Sequence, residues 1–232
     1  MYHNKKFLAL IPARGGSKGI PNKNITEVKG RPLIDYTIKE ALASDYIDSV
    51  IVSTDSKEIA KISTNCGAEV PFLRPSELAT DESKVVDTVN YTIRELKKMK
   101  QTFDFVVLLQ PTQPLRQRFH IDEAIKLIVD KEIESLVSVS EVRDHPILYR
   151  TINPEGSLVN LIDQNSTVRR QDFKTFYKVN GAIHINKINN NLNLDTSFND
   201  NKFPYIMDKK YDLDIDEPFD LEILNIMVEN IK

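Results

Sequence analysis

The chain carries only seven glycines, and three of them, Gly15, Gly16 and Gly19, fall within five residues of one another. The same stretch holds Arg14, Ser17, Lys18 and Lys23. This grouping suits a polyanion. Glycines let backbone N–H groups approach an anion closely, and the cations and the hydroxyl neutralise and orient it. A triphosphate fits best, because phosphoryl-transfer catalysis rests mainly on positioning and charge neutralisation. The spacing matches neither a Walker A loop nor the G-x-G-x-x-G dinucleotide pattern. The plain alternative is a flexible turn with solvated bases.

Such a loop needs elements that hold it. The apolar run Phe7–Ile11 before it reads as a buried strand, and a loop at the carboxyl end of a parallel strand is where open α/β sheets bind ligands. Pro32–Ala43 then reads as a helix with Leu33, Tyr36, Ile38 and Leu42 available to bury. Ser49–Ser53 is a strand, Ser56 caps a helix with Ile59, Ile62 and Cys66 on one face, and Gly67 suits its end. Ala68–Phe72 reads as a short strand, Val85–Leu96 as a helix and Phe103–Leu109 as a near-continuous apolar strand. A helix over Ile121–Val129 and a strand over Leu136–Val139 follow. This alternation predicts an α/β fold with a mainly parallel, doubly wound, Rossmann-like sheet covered on both faces.

The rhythm breaks near Arg143. His145–Lys178 is polar, with a turn at Asn153-Pro-Glu-Gly156, and reads as an excursion that packs on a partner chain. The α/β character returns with the strand Gly181–Ile185, the strand and core residues Tyr205 and Met207, and a final helix offering Phe219, Ile223, Leu224, Met227 and Ile231 to the core. With 232 residues the expectation is one domain over 1–232, interrupted at about 143–178. Net charge is −3, which argues against a nucleic-acid-binding tract. No apolar run approaches the ~20 residues of a membrane span. The single Cys66 excludes an internal disulfide, and together these features point to a cytoplasmic protein. Cys66 itself reads as a buried helix residue, not a nucleophile.

Seven blocks, in order, carry a resemblance. They are Ile11–Asn24, Val52-Ser-Thr-Asp55, Arg74-Pro-Ser-Glu-Leu-Ala79, Leu109–Arg116, Arg169-Arg-Gln171, Asn180-Gly-Ala-Ile183 and Asp214-Ile-Asp216. Together they resemble the acylneuraminate cytidylyltransferases, or CMP-sialic acid synthetases, over nearly the whole chain. The resemblance implies a nucleotide-diphospho-sugar transferase type of fold. It also implies a reaction: the anomeric hydroxyl of an acidic nine-carbon sugar attacks the α-phosphate of CTP, and pyrophosphate leaves. Legionaminic and pseudaminic acids are candidate sugars beside sialic acid. The 3-deoxy-manno-octulosonate cytidylyltransferases are the near alternative, and a non-catalytic nucleotide-binding protein the distant one.

Carried over by position, Arg14, Gly15, Gly16, Ser17, Lys18 and Lys23 would hold the phosphates, and Asn24 and Arg74 the nucleoside; alone, Arg74 reads as a solvated loop arginine. Asp214 and Asp216 flank Ile215, and in an extended segment such residues share a face. Two adjacent carboxylates repel unless a cation sits between them, so both are expected to face a Mg²⁺ bound to CTP. An acidic turn before a helix is the plain reading, and Asp212 and Asp220 are taken as solvated. The catalytic set is thus Arg14, Lys23, Asp214 and Asp216. Gln110, Thr112, Asn180 and Ala182 are candidates for the sugar pocket. Arg170 is the candidate for the sugar carboxylate, because a guanidinium offers it a planar fork. Arg116 reads as structural, His184 as either a sugar contact or a satisfied histidine, and the role of Lys178 is open. His145-Pro146 resembles the opening of the family's dimerisation excursion, so a homodimer is expected, with no nucleic-acid partner and no membrane insertion.

Overall fold

A computed structural model describes residues 1–17, 19–162 and 174–230. Strand β1 (Phe7–Pro12) leads into the glycine loop. The two-residue strands β2 (Glu27–Val28) and β3 (Arg31–Pro32) close a small hairpin before α1 (Leu33–Leu42). Then come β4 (Ser49–Ser53), α2 (Lys57–Asn65), α3 (Val85–Lys98), β5 (Phe105–Leu108), α4 (Arg118–Asp130) and β6 (Ser135–Glu141). The chain goes on through β7 (Arg150–Ile152), β8 (Leu158–Asn160), β9 (Tyr177–Lys187), β10 (Phe203–Met207) and α5 (Pro218–Asn230). Six strands form one sheet in the order β10-β6-β9-β5-β1-β4.

β1 shows why this sheet is covered twice. Phe7, Ala9 and Ile11 join a core with Ile34, Ile38, Ile59 and Ile125 from α1, α2 and α4. The alternate residues Leu8 and Leu10 pack with Val86, Val89 and Leu96 of α3. A strand buried on both faces must be apolar throughout, and β1 is. Local chemistry sets the helix ends. Ser56 Oγ accepts from Ile59 N at 3.3 Å, and Gly67, at φ +101, turns the chain out of α2.

The sheet is mainly parallel, as expected, with one strand reversed, and other details differ from the sequence expectation. β9 runs antiparallel to both β5 and β6, while β1–β4, β1–β5 and β6–β10 are parallel. Ala68–Phe72 is not a strand: only Glu69 bridges to Ile51, and Pro71 has no N–H to continue a ladder. Leu42 and Phe219, expected in the core, are exposed. Leu224 and Met227 face the core as expected, joined by Leu221 on the i, i+3, i+6 face of α5, and Ile231 lies outside the described residues. Cys66 caps α2 and is half-buried; burial and the neighbouring Asp35 push its thiol up to about 11. The excursion contains a hairpin, β7 with β8, turned at Gly156 with φ +81. No helix among the described residues is long and apolar enough to cross a membrane.

Arg116 knits three elements together. Its guanidinium is buried and donates to Ala182 O of β9 at 2.7 Å and to Thr37 Oγ1 of α1 at 2.8 Å. Burial pushes its pKa down to about 9. Arg116→Ala removes the donors and leaves a buried carbonyl unpaired beside a cavity, so urea denaturation should show a loss of about 3 kcal/mol or more. A loss under about 1 kcal/mol would contradict this role.

Candidate active site

At the carboxyl end of β1 the chain is tied down before it opens into the glycine loop. Ala13 N donates to Ser53 O at 2.9 Å, and Gly15 N to Asp55 Oδ1 at 3.0 Å. Asn24, buried within a short 3₁₀ turn, donates from Nδ2 to Arg14 O at 3.0 Å. The loop edges a cavity of about 300 Å³, whose wall includes Arg14, Ser17, Lys23, Asn24, Arg74 and Gln110. That is at the lower end of the range for small-molecule sites.

Each of these three cations stands beside a carboxylate. Arg14 Nη2 is 2.7 Å from Asp81, Lys23 Nζ is 3.0 Å from Asp216, and Arg74 Nη2 is 3.9 Å from Asp55. Arg74 is not the solvated loop arginine that the plain reading allows. It is 6 % exposed, donates to Thr88 Oγ1 at 2.8 Å, and burial lowers its pKa. Gln110 borders both this cavity and a second one of about 310 Å³, lined also by Lys84, His184, Phe198 and Asn199. His184 is buried, with Nε2 at 3.1 Å from Asn199 Oδ1, and burial holds its pKa below the usual histidine range.

The acidic turn comes from the other end of the chain. Ile215 is fully buried with Ile20, Leu33, Leu115 and Leu224, so its flanking carboxylates project outward. Ile215 N donates to Thr112 O at 2.9 Å, and Lys23 Nζ donates to Ile215 O at 2.8 Å. Asp214 is exposed, yet the protein packed around it partly desolvates the carboxylate and raises its pKa; the charge of Asp216 adds to this and a hydrogen bond from Thr112 opposes it. Among the described residues no cluster of three or more His, Cys, Asp or Glu side chains could hold a metal. Asp214 and Asp216 are not themselves on the cavity wall and meet it through Thr112 and Lys23, which are; two carboxylates are a smaller donor set. It suits Mg²⁺, which takes one or two carboxylates and completes its shell with phosphate oxygens and water.

The three glycines differ. Gly16 faces open space, and a Cβ on Gly15 would touch only Ser56 and Asp55. A Cβ on Gly19 would lie 2.5 Å from Asp216 O. Gly19 is required by the protein's own acidic turn and brings the two halves of the site into contact.

Residues 8–228 match the model of the cytidylyltransferase family. The chain belongs to that family. It is 36 % identical to the CMP-N,N'-diacetyllegionaminic acid synthase of Legionella pneumophila, over 97 % of each chain. It is 32 % identical to the pseudaminic acid cytidylyltransferase of Campylobacter jejuni, over 96 % of each. The N-acylneuraminate cytidylyltransferase of Streptococcus agalactiae is 35 % identical over 91 % of this chain, and the chain spans about half the length of that relative. Among solved structures, a CMP:2-keto-3-deoxy-manno-octonic acid synthetase complexed with CTP superposes with a TM-score of 0.73 at 16 % identity, over 97 % of this chain and 99 % of that one. At that identity the likeness concerns the fold.

Several sequence expectations are relocated. Asn180 and Ala182, expected in the sugar pocket, lie inside the sheet. Asn180 Oδ1 accepts from Ser138 Oγ at 2.6 Å and from Ala182 N at 3.1 Å, and its Nδ2 donates to Ser140 Oγ at 2.7 Å. Ala182 has no exposed surface. Thr112 lines the cavity but spends its side chain on Asp214. Asp212 and Asp220, expected to be solvated, are both engaged by the protein, though Asp220 stays half-exposed. The Asp212 side chain is 9 % exposed and pairs with Lys178 at 3.0 Å, and Asp220 accepts two backbone N–H groups. Lys18, Arg169, Arg170 and Gln171 lie outside the described residues. Asp81, Ser83 and Thr88, also on the cavity wall, escaped the sequence reading. The polar run Thr80–Ser83 directly after the block Arg74–Ala79 was the available signal.

Gly19→Ala should fold normally but displace the acidic turn, read as changed backbone amide chemical shifts from Ile215 to Glu217; unchanged shifts would contradict the contact. Asp214 should titrate above the usual aspartate range in the ligand-free protein. Its protonated form is favoured by folding, so its contribution to stability is greatest at acid pH and is lost as pH rises through the raised value. Carbon-13 NMR of the carboxyl should show this, with a shift toward the ordinary range in Asp216→Asn; a normal Asp214 in wild type would refute it.

Proposed function

We propose that this chain joins CTP to an acidic nine-carbon ketose, giving the CMP-sugar and pyrophosphate. The observation that carries the reading is the end-to-end identity with a CMP-N,N'-diacetyllegionaminic acid synthase. The cation-lined cavity at the carboxyl end of β1 supports it.

In this reading the triphosphate replaces carboxylates as the partner of Arg14 and Lys23. Backbone and side-chain donors of Gly15, Gly16, Ser17 and Lys18 complete its cradle, and Asn24 and Arg74 hold the nucleoside. The sugar's anomeric oxygen forms a bond to the α-phosphorus. The bond from that phosphorus to the α–β bridging oxygen breaks, and pyrophosphate departs with the electron pair. The hydroxyl's proton passes to water, and no protein base is assigned. Asp214 and Asp216 would hold Mg²⁺ together with phosphate oxygens, and the ion would supply charge neutralisation there. Gln110, between the two cavities, is the side chain best placed to meet the acceptor, with Arg170 the candidate for its carboxylate.

The sugar class follows the named relatives: N-acylneuraminate, legionaminate or pseudaminate. We further propose a homodimer, formed through the excursion at 143–178 within a single domain. Its hairpin exposes Ile152 at 73 % and Leu158 at 71 %, apolar surface that an isolated hairpin has no reason to present to water. A cytoplasmic location accords with the use of CTP.

Pyrophosphate release from CTP with Mg²⁺ should occur with at least one nonulosonate from a panel of sialic, legionaminic and pseudaminic acids. Release with 3-deoxy-manno-octulosonate alone would replace the sugar assignment, and no release with any nucleotide would favour a binding protein. Asp216→Asn should lose turnover by about two orders of magnitude while keeping its circular dichroism. Near-normal Mg²⁺-dependent activity in that variant would remove the metal role.

A further inference from the structure

Asp220 occupies the third position of α5, and its Oδ2 accepts from Asp216 N at 2.9 Å and from Glu217 N at 2.8 Å. A side chain at this position that reaches back over a helix start is usually read as a cap. Here one of the two amides belongs to a residue of the acidic turn itself. The helix behind it is anchored, since Leu224 is fully buried against Ile20, Leu33 and Ile215. The turn is gripped from its other sides by Lys23 on Ile215 O, Thr112 O on Ile215 N, and Gly19 against Asp216 O. Those contacts fix Ile215 and the carbonyl of Asp216. The Ile215–Asp216 peptide is thereby held at both ends, its carbonyl by Lys23, which also meets the Asp216 carboxylate, and its N–H by Asp220.

We propose that Asp220 is a positioning residue for cytidylyl transfer: its carboxylate clasps the amides of Asp216 and Glu217 and, with Lys23, holds the Asp216 carboxylate toward the nucleotide phosphates. The inference rests on the function proposed above. Asp220 spends its carboxylate on backbone amides and acts through the backbone of Asp216.

The test compares Asp220→Ala with Asp220→Asn, whose amide oxygen keeps the acceptor. The first readout is backbone hydrogen exchange in protein free of metal and nucleotide. In Asp220→Ala the amides of Asp216 and Glu217 should exchange faster, while those of Leu224 to Met227 stay as protected as in wild type. The second readout separates kcat from KM. Asp220→Ala should lose about 10- to 100-fold in kcat and need more Mg²⁺ for half-maximal rate. Its KM for CTP should stay within about twofold, because Arg14, Lys23 and Arg74 are untouched. Asp220→Asn should restore most of the rate. If Asp220→Ala does not fold, Asp220→Glu takes its place: glutamate caps helices well at this position but is longer by one methylene, so it keeps α5 and shifts the turn. A folded variant with wild-type kcat, or one in which all of α5 loses protection together, would overturn the proposal and leave Asp220 as a helix cap. Because exchange is read without substrate, it tests the clasp even if the wild-type chain releases no pyrophosphate; that failure would count against the proposed function.

Discussion

The structure turns on one long-range tie. Lys23, in the loop after the first strand, reaches the backbone carbonyl of Ile215 and the carboxylate of Asp216 near the end of the chain. A site for a triphosphate has to gather positive charge, and gathered cations repel one another unless counter-charges are built in. The protein meets this by setting carboxylates against the cations. The pair Lys23–Asp216 does so while also fixing the distance between the glycine loop and the acidic turn.

That tie needs a scaffold from both ends of the sequence. A small apolar cluster of Ile20, Val28, Leu33, Leu115, Ile215 and Leu224 gathers loop, hairpin, helix and acidic turn at one edge of the sheet. Ile215 is the pivot: its burial sends its two neighbours outward together, as alternation along an extended segment requires. Gly19 then sets how near the two halves lie, since any larger residue would meet Asp216 O. Fold and site therefore share the same contacts. The excursion around the β7–β8 hairpin lies outside this arrangement, and its exposed apolar side chains have nothing within the described residues to bury them.

Much of this was legible in the sequence. The doubly wound order followed from apolar runs alternating with helical stripes, and the clustering of three glycines among seven marked the loop that edges the cavity. The antiparallel direction of β9 was not legible, because a strand buried on both faces reads alike in either direction. Asn180 looked like a pocket residue because its neighbours Gly181 and Ala182 fell within a recognisable block. Its partners Ser138 and Ser140 lie forty residues away, and only the β6–β9 pairing reveals them. Asp81 escaped because it sits in a loop without period, and Asp220 because a carboxylate at a helix start looks the same whether it meets water or backbone amides. The requirement for glycine at position 19 was visible but its cause was not. It arises from contact with a turn almost two hundred residues away.

The central claim is that one nucleotide site is formed by the loop after β1 and the acidic turn together. A crystal structure of the protein with CTP and Mg²⁺ tests this most directly. The account predicts the triphosphate along residues 14–24, Lys23 on its oxygens, and the metal between those oxygens and the carboxylates of Asp214 and Asp216. Nucleotide bound elsewhere, or bound at the loop with the metal away from both aspartates, would contradict it.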